Sequence, residues 1–423
     1  MKKELALQLI QETLPILLDD ENAAASLFRE LQFLSSYKYN SYEMYHPGRL
    51  FLESLYLWLN QFKPDERMHA LAFVRERLIF VSRQEFQQLA GILCHDVIRR
   101  QQIRVAAEIA GVPRHKIRFI RESEFFRQVA RASLYVGMSD GARIDYIRRQ
   151  NLDIGNEQVL PYYEVSQPKK DDIKKELRKD LMNPNALFRC LFLIDDFCGS
   201  GRTLLREVVN TTIDQPFEPP VIPLLWQSKF RFIKETNELE LNYQESFSEE
   251  EQQTLLGMGT NPNYIKAVHG LLDKCAKHET SLKGSLKKVA RPDGLSDLLD
   301  PNGFVYFCPL LATEKALNRI KPLIINLPGQ FAHTQIIPGA VLKNSERITS
   351  EENPIGALCE NYYTNDLEDQ HTGCVKFGFD NCGLPLVLHH NTPNNSIFLL
   401  WARKHAGFSP LFVRYERHGR EVS

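Results

Sequence analysis

Apolar positions fall into two textures along the chain, and the change comes near residue 125. Before it, apolar residues recur three and four apart. Leu71, Val74, Leu78 and Val81 form one such series, which predicts a helix with one buried stripe. Ser82 and Glu85 then stand three apart ahead of Phe86, Leu89, Leu93 and Val97. That spacing predicts a capping box opening the next helix. Glycine is sparse here, at Gly48, Gly91 and Gly111. Residues 1–125 are therefore expected to form a helical N-terminal domain.

Beyond that point, short continuous apolar runs take over: ASLYVGM (132–138), CLFLI (190–194), VIPLLW (221–226), GFVYFCPLL (303–311) and PLIINL (322–327). Each has the length of a strand buried on both faces. Helical patterns lie between them. Ile173 and Leu177 mark one in KKDDIKKELRKD (169–180), Leu204, Leu205, Val208, Val209 and Ile213 a second, and TEKALNRI (313–320) a third. Strands alternating with helices predict an α/β fold with a mostly parallel sheet flanked by helices. Residues 228–300 interrupt the alternation with charged sequence and a capping pair at Ser248 and Glu251, and are expected to be a mainly helical insertion. The core would then run over 126–227 and resume over 301–423, the latter including a C-terminal hood.

Composition removes several classes of function. The chain carries 52 Lys plus Arg against 53 Asp plus Glu, which disfavours a protein that coats nucleic acid. The lysines from Lys169 to Lys179 read as the solvated face of a helix, so nucleic acid is not expected as a direct ligand. The 8 cysteines form no CxxC or Cys/His pattern and suit a reducing compartment. The start MKKELALQLIQETLP lacks a signal-peptide core, and no apolar run approaches the ~20 residues that span a bilayer. A cytoplasmic protein without membrane association is the expectation.

The chemistry concentrates in CLFLIDDFCGSGRTLLREV (190–208). An apolar pentad ends at Asp195 and Asp196, small residues follow, and a helical stripe begins. This places acids and glycines in a strand-to-helix turn at the carboxyl edge of a sheet, where open α/β sheets bind ligands. Gly199 and Gly201 permit close backbone approach, Ser200 and Thr203 add hydroxyls, and free amides of a first helical turn favour an anion. The loop lacks the lysine of a GxxxxGK[ST] phosphate loop, and GSGRTL lacks the third glycine of a dinucleotide fingerprint. Carboxylates beside a phosphate cradle repel the phosphate unless they face another part of the ligand. Sugar hydroxyls, which donate strongly to carboxylates, are the natural partner. A phosphate and a diol together describe a 5-phosphoribosyl group.

LFLIDDFCGSGRTL resembles, in register, the signature of type I phosphoribosyltransferases: four hydrophobics, two acids, two hydrophobics and a small-residue loop ending in Thr. The resemblance implies that Asp195 and Asp196 hold the ribose 2′ and 3′ hydroxyls. It implies that Gly199, Ser200, Gly201, Arg202 and Thr203 wrap the 5′-phosphate. GMSDGARID (137–145) occupies the place of the pyrophosphate loop, with Ser139, Asp140, Gly141 and Ala142 as binding residues and Arg143 neutralising the diphosphate. Mg²⁺ is the implied cofactor, carried by phosphoribosyl pyrophosphate near Asp195 and Asp196 without a dedicated cage. Asp195, Asp196 and Arg143 are the implied catalytic residues. An ordinary Asp-Gly turn remains an alternative for the second loop.

Two departures qualify this. Asp140 adds an acid beside the diphosphate, and Gly199 stands where some purine-transferring members carry an acid that serves as general base. SDGARIDYIRR, LIDDFCGSGRTLL and GLPLVLHHNTPNNSIFLLW (383–401) are together similar to a phosphoribosyltransferase-like group of bacterial conflict and defence systems. That resemblance implies an anti-phage role and a protein partner from the same operon, such as an ATPase or a reverse transcriptase. His389, His390, Asn391, Thr392 and Asn394 could line the acceptor end, or form an ordinary turn fixed by Pro393. Two other readings stay open: a catalytically silent nucleotide sensor, and a partner-controlled toxic effector.

Overall fold

The runs at 132–138, 190–194 and 303–311 lie side by side as parallel strands in the computed structural model. The structure describes residues 3–13, 21–45, 48, 50–151, 153–161, 165–201, 230–233, 238–241, 295, 298–325, 333–349, 353–367, 373–402 and 408–414. Among these residues the strands are, in chain order, β1 (Ile79–Val81), β2 (Ser133–Gly137), β3 (Val159–Leu160), β4 (Phe188–Cys198), β5 (Phe230–Ile233), β6 (Glu238–Leu241), β7 (Leu299–Thr313), β8 (Thr334–Ile336), β9 (Ala340–Leu342) and β10 (Leu386–Leu388). The main sheet has the order β3-β2-β4-β7-β8, and β9 pairs with β7 further along that strand. Every pairing in it is parallel. The fold is a mixed α/β architecture with a parallel sheet flanked by helices, as the alternation predicts.

The register stacks aromatic side chains across the centre. Tyr135, Phe192 and Tyr306 stand opposite one another on β2, β4 and β7. Their rings stack at 5.3 and 5.1 Å, contacts that contribute about 0.5–1.5 kcal/mol each beyond area burial. Gln102, on the helix Arg99–Ala110, donates to both the Ser133 hydroxyl and the Tyr135 hydroxyl at 3.0 Å. A buried carboxamide thus satisfies two strand hydroxyls and fixes this helix on the sheet. The helix Gln167–Asp180 buries Ile173 and Leu177 and exposes most of its lysines, as expected.

The compact units divide the chain at other points than 125 and 300: Met1–Gln87 with Lys343–Ser423 form one, Gln88–Leu342 the other. The physical reason is packing. Helices between Gln88 and Arg131 pack with the sheet's own residues, as Gln102 does. Described residues between Ile348 and Phe412 complete a core begun by the first helices. In that first unit, Phe51, Trp58, Phe80, Phe398 and Phe412 are fully or almost fully buried together, and the Trp58 indole donates to the Leu399 carbonyl at 2.7 Å.

Several sequence expectations are corrected. The helical series through Leu78 and Val81 stops earlier, since the helix ends at Glu76 and Ile79–Val81 is β1, paired in parallel with β10. Long-range pairing overrides the local period there. The capping box is present: Ser82 N–H donates to Glu85 Oε2 at 2.7 Å, and Glu85 N–H to Ser82 Oγ at 3.3 Å. PLIINL is no strand over its described residues, because 322–325 continue the helix Glu314–Ile325. Within 228–300 the described residues include the antiparallel pair β5–β6, and most of the remainder of the expected helical insertion is not among the described residues. VIPLLW, the stripe from Leu204 to Ile213, and most of 228–300 lie outside the described residues. Among the described residues, no helix is long and apolar enough to cross a membrane.

Candidate functional site

The acid pair stands on a projecting strand end. β2 stops at Gly137, opposite Ile194, while β4 continues to Cys198 with β7 as its neighbour, through Asp195↔Pro309, Phe197↔Leu311 and Cys198↔Ala312. Asp195 and Asp196 are therefore the last part of the strand rather than part of the turn, as the sequence suggested. The chain leaving β2 stays against them. Met138 N–H donates to the Ile194 carbonyl at 2.8 Å. The Ser139 hydroxyl donates to Asp195 Oδ1 at 2.5 Å. Gly141 sits so close that a Cβ there would lie 2.5 Å from Asp196 Oδ2. Only glycine leaves that carboxylate in place. The turn Asp140–Ala142 leads into Arg143, held at φ 44° and ψ 45°, a left-handed conformation uncommon for a side-chain-bearing residue. Such conformations persist where the surroundings impose them, and cluster at ligand clamps.

Electrostatics in this corner are unfavourable to two full charges. Asp195 Oδ1 also accepts from the Asp196 N–H at 3.1 Å, and Asp196 Oδ1 from the Phe197 N–H at 2.8 Å. Burial first, and the Asp196 charge second, push the Asp195 carboxyl up to about 8, against the lowering effect of the Ser139 hydrogen bond. The pair thus holds a proton at neutral pH. The unfolded chain titrates Asp195 near its ordinary 3.8. Below that value both states are protonated. Between it and the raised value the folded state binds more protons, so stability falls as pH rises. We expect the stability contributed by the Asp195 carboxyl in the ligand-free protein to be full below about pH 4 and to be lost by about pH 8. Asp196→Asn should flatten that slope in urea unfolding run across the pH range, and an unchanged slope would show that the coupling is absent.

The bend after β4 is braced from behind. Thr313 ends β7 and caps the helix Glu314–Ile325, its hydroxyl accepting from the Ala316 N–H at 3.0 Å. The same hydroxyl donates to the Gly199 carbonyl at 2.5 Å. Arg319, one turn into that helix, donates to the Ser200 carbonyl at 3.2 Å. In a trans peptide the N–H points opposite to the C=O. Tying these two carbonyls to the helix therefore turns the N–H groups of Ser200 and Gly201 to the other side of the bend. Gly201 has φ +77°, and a Cβ on it would lie 3.1 Å from Ile320, so the position needs glycine for conformation and for space. The result is a pair of pre-oriented amides directly downstream of two carboxylates.

The structure brings together Ser139, Gly141, Ala142, Arg143, Asp195, Asp196, Gly199, Ser200 and Gly201 at the carboxyl ends of β2 and β4. The backbone places Asp140 in the same turn, its side chain lying outside the described set. Arg202 and Thr203 lie outside the described residues. His389, His390, Asn391, Thr392 and Asn394 belong to the first unit. There the His389 and His390 rings pack on Phe86 at 5.1 and 5.2 Å, and the Thr392 and Tyr42 hydroxyls share a 2.9 Å hydrogen bond. Sequence reading missed Thr313 and Arg319. The signal was available: Thr ahead of a helical pattern is an N-cap, and Arg319 stands six residues on.

A strand-end acid pair, a bend whose carbonyls are tied to the neighbouring helix and a second loop folded onto the acids together form one candidate ligand site. The profile of the PRTase-CE family matches residues 56–414, which include every part just described. The chain belongs to the PRTase-CE family. Comparison with curated proteins and with solved structures returned no match. The chain is thus phosphoribosyltransferase-like, with the parallel α/β sheet described above.

Proposed function

We propose that this PRTase-CE protein binds Mg–phosphoribosyl pyrophosphate, or a ribonucleotide, and acts at ribose C1. The single observation that carries the reading is the junction of loop and acids: Ser139 donates to Asp195, and Gly141 abuts Asp196, one bend before the Gly199–Gly201 amides. Asp195 and Asp196 accept the vicinal hydroxyls of the ribose. For this the Ser139 hydroxyl gives up its place on Asp195, and the proton held by the pair leaves. The Ser200 and Gly201 amides, held by Thr313 and Arg319, receive the 5′-phosphate. As the bond from C1 to the diphosphate loosens, cationic charge develops on the sugar ring, the neighbouring carboxylates stabilise it, and an acceptor nitrogen or a water oxygen bonds to C1 as the diphosphate leaves. Arg143 and the amides of its loop neutralise the departing diphosphate.

The donor set suits Mg²⁺. Among the described residues no group of three or more His, Cys, Asp or Glu could hold a metal by itself. Mg²⁺ commonly uses one or two carboxylates, phosphate oxygens and water. Asp195 and Asp196, burdened by mutual repulsion, would hold it through the ligand, where it supplies charge neutralisation of the diphosphate. A second reading, a nucleotide sensor without turnover, draws on Gly199: it offers no carboxylate, and its carbonyl is engaged by Thr313. An anti-phage role with an operon-encoded partner rests on the family resemblance and belongs to the same proposal. Incubation with phosphoribosyl pyrophosphate labelled at C1 decides between the two readings. Release of labelled diphosphate-free sugar product supports action at C1. Tight binding with no product supports the sensor. Absence of binding to phosphoribosyl pyrophosphate and to ribonucleotides alike overturns both.

A further inference from the structure

The opposite edge of the same sheet carries a cavity that the strand-end loops do not use. It has a volume of about 240 Å³ and is lined at the amino ends of β2, β4 and β7, where Ala132, Arg189 and Asp300 stand. Arg189 is six residues before Asp195, so the cavity lies about 20 Å from the acid pair along β4. It is a separate site by distance.

Its chemistry is specific. Val129, Ala132 and Ala186 make a buried apolar floor. Phe125 and Ile109 stand at its mouth with 43% and 45% of their surface exposed, apolar area that an occupant would cover. The two charged groups, Arg189 and Asp300, lie 3.3 Å apart and neutralise each other. The lining therefore carries no net charge, which favours a neutral ligand over an ionised one. Carboxamides supply the remaining polarity. Asn183 accepts from the Asn185 N–H at 2.9 Å and so fixes the turn that presents Asn185. The Gln128 and Asn185 side chains hold no protein partner among the described residues. Each offers two donors and one acceptor oxygen, the complement of a nucleobase edge.

We infer that this cavity binds a neutral nucleoside. Its volume is just below the roughly 300–1,000 Å³ of drug-sized sites, which suits a ligand of that size. The base lies between the Phe125 ring and the apolar floor, with its edge on the Gln128 and Asn185 carboxamides. The site does not depend on the phosphoribosyl reading, because none of its groups belongs to the strand-end loops.

The test is calorimetric titration of the full chain with adenosine, guanosine, cytidine and uridine, each to about 5 mM. At least one is expected to bind. Gln128→Ala/Asn185→Ala, both solvent-facing changes, should weaken it at least about tenfold. Ala186→Leu, which fills the floor, should do the same. Asp195→Asn/Asp196→Asn should leave it unchanged. The inference is overturned if none of the four binds. It is equally overturned if binding survives the Gln128 and Asn185 changes, or vanishes with the aspartate changes.

Discussion

Asp195→Asn/Asp196→Asn is expected to stabilise the ligand-free protein at pH 8 while weakening phosphoribosyl pyrophosphate binding by about 10²–10⁴-fold. The two effects have one origin. Asp195 is pushed far above its ordinary range by burial and by the neighbouring Asp196 charge, so ionising the pair costs folding free energy. Neutral carboxamides remove that cost, and the melting temperature at pH 8 should rise by about a few degrees. The same change removes the charged acceptors that a ribose diol requires. Hydrogen bonds to charged groups contribute about 1.5–3 kcal/mol each, and two of them account for the predicted loss. Opposite signs in stability and binding distinguish a ligand-binding role from a structural one. Were the carboxylates structural, their replacement would destabilise the protein and leave affinity alone. Thermal unfolding and calorimetry on one protein preparation read both. Affinity within threefold of the parent would remove the acid pair from the site.

The conflict between burial and charge at Asp195 and Asp196 is also why the candidate site stands out in the sequence. Adjacent carboxylates at the end of an apolar pentad contradict the pattern of a buried strand, and such contradictions mark functional positions. Gly199 and Gly201 were readable for the same reason. The full length of β4 was not. Asp195 to Cys198 become strand by pairing with β7, more than 100 residues away, and no local pattern encodes a partner at that separation. β1 is the same case: Leu78 and Val81 keep a helical period, yet Ile79–Val81 pairs with Leu386–Leu388. PLIINL was ambiguous on its own terms, because a short apolar run suits a buried strand and the continuation of a helix equally. The preceding Ala316, Leu317 and Ile320 form a buried stripe, and Leu323 and Ile324 continue its spacing. The first compact unit joins both ends of the chain, a closure that composition shifts along the sequence do not reveal. Ser139 on Asp195 depends on two loops meeting in space, and only coordinates bring them together.

Thr313→Val carries the second large expectation, because one hydroxyl performs two tasks in a buried position. Valine keeps the shape and the strand preference of threonine, so β7 itself should persist. The lost acceptor leaves the Ala316 N–H without its cap, a change that costs about 0.5–2 kcal/mol. The lost donor leaves the Gly199 carbonyl buried without Thr313, at about 1–3 kcal/mol. A stability loss of about 2–4 kcal/mol follows, measurable as a shift in urea midpoint at constant slope. The binding consequence is separate. With the Gly199 carbonyl released, the peptide carrying the Ser200 N–H can rotate, and under the proposed reading an amide held ready for the 5′-phosphate becomes one that must be ordered on binding. Affinity for phosphoribosyl pyrophosphate should fall about tenfold in protein that remains folded. Thr313→Ser retains the hydroxyl and should restore most of both quantities. Should the valine protein match the parent in urea midpoint and in affinity, the helix does not brace the bend, and the orientation of its amides must have another cause.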